Sequence, residues 1–121
     1  MGASLRTLIV EGDPSDSFLL CMQLRHLGYC DITLSQSYAD ANERLFALPR
    51  PELVLIDLPP EQVVTVAPLA SAIRQLGIDF ITVIGRDRPA LPAAYDTTVL
   101  LTRPAGMSDL IDAINLARRY G

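Results

Sequence analysis

One uninterrupted apolar run constrains the fold of this chain more than any other feature of its sequence. Residues 53–56 are four consecutive aliphatic residues, and Asp57 and then Pro59 follow them. An unbroken run of this kind is typical of a strand that is covered on both faces, whereas a half-exposed strand alternates polar and apolar residues. The run therefore indicates a parallel sheet with helices on both faces.

Strand and helix patterns alternate along the whole chain. We predict strands over 5–10, 32–34, 53–56, 80–84 and 98–101, and helices over 14–27, 37–48, 66–76 and 107–119. The third helix is placed from Val66 because Pro68 fits only a first turn. Pro89 and Pro92 make any fourth helix between 85 and 96 short or irregular. Repeated strand–helix units with right-handed crossovers predict an α/β fold with a doubly wound, five-stranded parallel sheet.

Apolar residues at helical spacing predict which side of two helices faces the core. They are Phe18, Cys21 or Met22, and Leu24 or Leu27 in the first helix, and Leu110, Ile111, Ile114 and Ala117 in the last. Residues three or four positions apart lie on one side of a helix, so we expect these side chains to be buried.

The absence of lysine excludes several classes of enzyme. All ten cationic side chains are arginines. Without lysine there is no Schiff-base chemistry and no phosphate-loop nucleotide site. One histidine and two cysteines are too few for a zinc site with four such ligands. The net charge of −4 and the scattered arginines do not suit direct binding of nucleic acid.

The size of the chain indicates a single domain, residues 1–121. No apolar run approaches the roughly 18 residues of a membrane-spanning helix, and the first residues lack the pattern of a secretory signal. We therefore expect a cytoplasmic protein with no membrane partner. In that compartment Cys21 and Cys30 are expected to be reduced thiols.

Functional groups gather at the carboxyl ends of the strands in an open parallel sheet. At these ends the sequence places the carboxylates of Glu11, Asp13 and Asp57, together with Arg103. Oxygen ligands of this kind suit Mg²⁺, and an aspartate can also attack phosphorus as a nucleophile. Asp13 precedes a proline and is a good helix N-cap, so it is the weaker of the metal-ligand candidates.

Three segments resemble the receiver domain of response regulators, the phosphoacceptor module of two-component signalling. They are 8–14 (LIVEGDP), 51–58 (PELVLIDL) and 100–104 (LLTRP), and the resemblance extends over essentially the full chain. It implies a flavodoxin-like sheet with strand order 2-1-3-4-5. It also implies that Asp57 is the phosphoacceptor and that Arg103 stands at the position of the lysine that pairs with the phosphoryl group.

Four working positions of the family are altered in this chain. By resemblance, Gly12 stands where the family has a second metal-binding acid, and Gly85 where it has a hydroxyl residue that senses phosphorylation. Leu100 stands at the position of the aromatic switch residue. Arg103 keeps the positive charge of the lysine, but its planar fork has a different reach.

The loss of an acid at Gly12 weakens the expected metal site. Mg²⁺ would rely on Glu11 and Asp57, with weaker contributions from Asp13 and from a backbone carbonyl near Pro59. We therefore expect weak binding of Mg²⁺ and no other cofactor.

The altered positions favour a degenerate receiver, or pseudo-receiver, that acts through protein–protein contacts. It would not be an enzyme, except that it could accept a phosphoryl group on its own Asp57. Its partner would be a histidine kinase or another signalling protein, or a second copy bound through the face between the fourth strand and the last helix. Two alternatives stay open: a receiver phosphorylated on Asp57 by a histidine kinase with Mg²⁺, and a small flavodoxin-like ligand-binding protein.

Overall fold

A computed structural model of the chain describes residues 5–10, 14–85, 90–103 and 105–120. Strands and helices alternate, as the sequence predicts. The elements are β1 (Thr7–Val10), α1 (Pro14–His26), β2 (Ile32–Ser35), α2 (Tyr38–Phe46), β3 (Leu53–Asp57), α3 (Val63–Leu76), β4 (Asp79–Ile84), β5 (Val99–Thr102) and α4 (Met107–Tyr120). No described helix has the length and apolar character needed to cross a membrane.

All five strands are parallel and are arranged in the order β2-β1-β3-β4-β5. This is the predicted flavodoxin-like order. Alternate residues of the strands contribute to two apolar cores, one on each side of the sheet. Helices α2 and α3 cover the first core, and α1 and α4 cover the second, which confirms a doubly wound sheet. The central strand β3 is buried along its whole length, as its apolar run predicts.

Local signals in the sequence explain how two of the helices begin and end. The Ser37 side chain accepts a hydrogen bond from the amide of Asp40 at 3.0 Å and so caps the start of α2. Helix α3 ends at Gly77, which adopts the left-handed conformation with φ of 69° that favours glycine.

The predicted start of the third helix is wrong by one turn. Helix α3 begins at Val63 and contains Pro68 in its interior. A proline here cannot donate to the carbonyl of Val64, four residues earlier. Both residues are exposed, so water can reach the carbonyl that the proline leaves without its helical donor.

The predicted inward faces of α1 and α4 are partly wrong. In α1, Phe18 and Met22 are exposed, whereas Cys21 and Leu24 are buried as predicted. In α4, Ile111 is 40% exposed, whereas Leu110, Ile114 and Ala117 are buried as predicted. Helix α1 is apolar around most of its circumference, so spacing alone does not identify the side that packs on the sheet.

The connection between β4 and β5 contains a single 3₁₀ turn, Ala93–Tyr95, in its described part. This agrees with the expectation that a fourth helix would be brief or irregular. The side chains of Leu91, Ala94 and Tyr95 pack against the core beside α3. The turn therefore covers part of the sheet that a full helix would otherwise cover.

Candidate functional site

Asp57 is the last residue of β3, and its side chain is only 1% exposed. It pairs in register with Val83 of β4. The next residue, Leu58, donates its amide to the carbonyl of Val83 at 2.9 Å, which continues the ladder beyond the strand. The central sheet therefore fixes this carboxylate at its carboxyl edge, where a buried charge requires a partner.

Arg103 supplies that partner. Its amide donates to the carbonyl of Ile84 at 2.8 Å, which anchors the residue directly beyond the end of β5. From this position the guanidinium Nη1 donates a hydrogen bond to Oδ1 of Asp57, and the two charges form an ion pair. The structure therefore places these two candidate site residues together at the carboxyl edge of the sheet.

Gly85 borders the same ion pair. A Cβ atom built on Gly85 would lie 3.8 Å from Nη2 of Arg103, which is an ordinary van der Waals contact. The guanidinium thus lies beside the place where a side chain at position 85 would begin. The structure brings together Asp57, Gly85 and Arg103, three of the residues that the resemblance singles out.

The remaining predicted site residues lie elsewhere or are not described. The carbonyl of Pro59 accepts a hydrogen bond from the amide of Gln62 at 2.9 Å. Leu100 is 36% exposed at the outer edge of β5. The candidates Glu11, Gly12 and Asp13 lie outside the described residues.

The described part of the site does not by itself fit Mg²⁺. Among the described residues no group of three or more histidine, cysteine or acidic side chains could hold a metal ion. The carboxylate of Asp57 is engaged by a guanidinium, and a divalent cation would have to compete with that charge. A metal bound here would need oxygen ligands in addition to Asp57 and would compete with the charge of Arg103.

A second polar network lies at the same edge of the sheet, where β2 meets α2. The carboxylate of Asp40 accepts hydrogen bonds from the Ser35 hydroxyl at 2.7 Å and from Nε of Arg44 at 2.8 Å. The hydrogen bond from Arg44, followed by that from Ser35, lowers the pKa of Asp40 below its ordinary value. Because these groups satisfy one another, and the amide of Asp40 is bonded to the Ser37 cap, the network stabilises the start of α2.

Tyr95 is a buried residue of the β4–β5 connection that the sequence did not indicate. Its hydroxyl donates to the carbonyl of Val63 at 2.7 Å, and its ring packs on Phe80. Burial, with a smaller contribution from Tyr38, raises the pKa of Tyr95 to about 12. Burial, with a smaller contribution from Glu61, also raises the pKa of Tyr38. The only sequence signal was an aromatic residue in a proline-rich connection.

The outer side of α1 forms an exposed stripe that sequence spacing also missed. We call it the α1 stripe; it consists of Phe18, Leu19, Met22, Arg25 and His26. Phe18 is 63% exposed and Met22 is 53% exposed. Residues at these spacings share one side of a helix, so three large apolar side chains lie next to the basic last turn.

Two grooves flank the outer edge of β5. A groove of about 570 Å³ is lined by Leu100, Arg103, Asp112 and Leu116, among others. A second groove, of about 670 Å³, shares Leu100 and Leu116 and extends to Arg74 and Asp96. The edge strand thus has accessible space on both sides.

No protein-family model matches the sequence, and no curated protein matches it. Solved structures do match. SdrG from Sphingomonas melonis Fr1 superposes with a TM-score of 0.80 at 20% identity, over 98% of this chain and 99% of that one. The REC domain of the PhyR response regulator from Erythrobacter litoralis superposes with a TM-score of 0.70 at 25% identity, over 98% of this chain and 92% of that one.

A CheY-like response regulator from Mesorhizobium loti gives a TM-score of 0.70 at 16% identity, over 95% of this chain and 99% of that one. The three structural neighbours named here are receiver domains of response regulators. The chain has the receiver fold, as the sequence resemblance implied.

Proposed function

We propose that this receiver-like chain is a cytoplasmic signalling domain that acts through protein–protein contacts without phosphorylation of Asp57. The observation that carries this proposal is the ion pair between Asp57 and Arg103. A phosphoacceptor carboxylate attacks phosphorus through an electron-rich oxygen, and the guanidinium of Arg103 occupies Oδ1 and withdraws electron density from the carboxylate.

The altered positions support the same function. Gly85 has no hydroxyl to follow a phosphoryl oxygen, and Leu100 has no aromatic ring to move inward. A phosphoryl group on Asp57 would therefore lack the two groups through which the family passes its signal to the outer face. We infer a role in binding rather than in catalysis.

The partner we propose is a helix of a histidine kinase or another signalling protein, docked along the α1 stripe. The apolar half, with Phe18 and Met22, would pack against the apolar side of that helix. Arg25 and His26 at the other end would favour carboxylates on the partner. The experiment is an NMR titration with the dimerisation domain of a histidine kinase, comparing Met22→Arg with Val64→Arg on the exposed side of α3.

The surface between β4 and α4 is a second contact region, which we propose for a second copy of the chain. Its two grooves share the exposed side chains of Leu100 and Leu116. Apolar residues at an edge strand with space on both sides favour association with another copy.

Exposure to a phosphodonor tests phosphorylation independence. We expect no gain of a phosphoryl group, by intact mass, when the protein is incubated with acetyl phosphate and millimolar Mg²⁺. The control is Asp57→Asn, which removes the acceptor but keeps its shape. A mass gain in the native chain that is absent from Asp57→Asn would overturn this part of the proposal.

The second candidate is a receiver phosphorylated on Asp57 by a histidine kinase with Mg²⁺. It is favoured by the retained aspartate at the end of β3 and by a cation at the lysine position. One neighbour, SdrG, also has a structure in a BeF₃-activated conformation. Amide shifts around Asp57 on addition of beryllofluoride and Mg²⁺ would favour this candidate. The flavodoxin-like ligand-binding alternative gains no support from the neighbours named above.

A further inference from the structure

We propose that Tyr95 couples the loop after Asp57 to the start of β5, and so gives this chain a signal path that does not use positions 85 and 100. The proposal goes beyond the proposed function because it concerns any event that disturbs the ion pair between Asp57 and Arg103. It predicts that such an event changes the conformation at the amino end of β5 only when the Tyr95 hydroxyl is present.

The path begins with a short, firmly held loop. Leu58 is fully buried and its amide is bonded to Val83. One 3₁₀ turn, Pro60–Gln62, then leads directly into Val63, the first residue of α3. Because so few residues separate Asp57 from Val63, a displacement at Asp57 that moves the backbone of Leu58 also moves Val63.

Tyr95 connects the β4–β5 segment to the end of that loop by a hydrogen bond to Val63. Its side chain is 3% exposed, and its hydroxyl donates to the carbonyl of Val63 at 2.7 Å. The ring centroid lies 6.5 Å from that of Phe80, so the ring is held in the core while the hydroxyl reaches α3. A buried hydroxyl that loses its acceptor is costly, so Tyr95 follows Val63 when the loop shifts.

The remaining step leads from Tyr95 to β5. The Thr98 amide donates to the carbonyl of Tyr95 at 3.1 Å, and the Thr98 hydroxyl is hydrogen-bonded to that of Thr82 at 2.8 Å. Val99, the next residue, begins β5. The strand is thus tied to the surroundings of Asp57 at both ends, through Arg103 at its carboxyl end and through Tyr95 at its amino end.

Amide shifts in an NMR double-mutant experiment test this coupling. Asp57→Asn is compared in the native chain and in Tyr95→Phe, which keeps the ring and removes the hydroxyl. We expect the displacement of the Thr98 amide signal caused by Asp57→Asn to fall to less than about half in the Tyr95→Phe background. The Arg103 amide, which borders the ion pair directly, should move equally in both backgrounds.

Tyr29→Phe is the matched control, because Tyr29 packs against the opposite core. This variant should leave the displacement at Thr98 unchanged. Equal displacement at Thr98 with and without the Tyr95 hydroxyl would overturn the proposal, as would an equal reduction in Tyr29→Phe. If Asp57→Asn does not fold, Arg103→Gln disturbs the same ion pair, with the Leu58 amide as the reference signal.

Discussion

Arg103 donates a hydrogen bond from its guanidinium to the carboxylate of Asp57, although the two residues are 46 positions apart in the chain. The carboxylate is buried, whereas the arginine side chain is 27% exposed and still reaches solvent. The ion pair joins the end of the central strand to the end of the edge strand. Arg103 therefore compensates a charge that the interior could not otherwise accommodate.

We predict that Arg103→Gln lowers the free energy of unfolding by about 3 kcal/mol, because it leaves a buried carboxylate without its cation. Urea unfolding at neutral pH provides the measurement. In the Asp57→Asn background, where no charge needs compensation, the same change should cost about 1 kcal/mol. An equal cost of Arg103→Gln in both backgrounds would show that the pair contributes nothing to stability.

We predict that substitution by alanine changes the free energy of unfolding in opposite directions at Gly85 and Gly77. Gly85→Ala should raise the free energy of unfolding by about 0.5 kcal/mol, since among the described residues a Cβ there would contact Nη2 of Arg103 at an ordinary 3.8 Å, and the unfolded chain loses freedom. Gly77→Ala should lower it by about 1 kcal/mol, because its φ of 69° is strained for any residue with a Cβ. Thermal unfolding of the two variants checks the signs, and a loss of stability in Gly85→Ala would show that the guanidinium tolerates no neighbour.

Much of the fold could be predicted from local patterns. The run at 53–56 indicated the buried central strand, and Gly77 marked the end of α3 through its backbone freedom. The outer side of α1 could not be predicted, because leucine, phenylalanine and methionine occur around most of that helix. Which of these residues face the sheet depends on packing against α4 and the strands, and spacing within one helix does not contain that information.

The candidate site could also be predicted only in part. Asp57 is the last residue of β3 and Arg103 directly follows β5, so the topology of a parallel sheet places them at one edge. The role of Tyr95 depends on a contact with Val63, 32 positions earlier, across a connection with no regular pattern. A long-range hydrogen bond of this kind becomes visible only when the strands are already assembled.

We predict that Leu100→Arg abolishes or strongly weakens self-association through the surface between β4 and α4. Leu100 is 36% exposed on edge strand β5, where a buried arginine would be costly in a dimer. Sedimentation equilibrium should show a dimer dissociation constant raised by about tenfold or more. Leu34→Arg is the matched control, because Leu34 is 39% exposed on β2, the strand at the opposite edge. A native chain that stays monomeric at high concentration would rule out the proposed dimer.

High pH should destabilise the fold through Tyr95. Its pKa is near 10 in the unfolded chain and is raised to about 12 by burial in the folded one. The neutral phenol is therefore favoured by folding, so its contribution to stability is complete below pH 10 and is lost as the pH rises toward 12. The expected loss is about 2 kcal/mol.

The lack of lysine makes this titration unusually easy to assign, because tyrosines are the main side chains that titrate between pH 10 and 12. Urea unfolding at pH 9 and at pH 12 measures the loss. Tyr95→Phe should remove most of it, and Tyr38→Phe, whose tyrosine also has a raised pKa, should remove a smaller part. A loss that is unchanged in Tyr95→Phe would mean that the hydroxyl of Tyr95 ionises as easily in the folded chain as in the unfolded one.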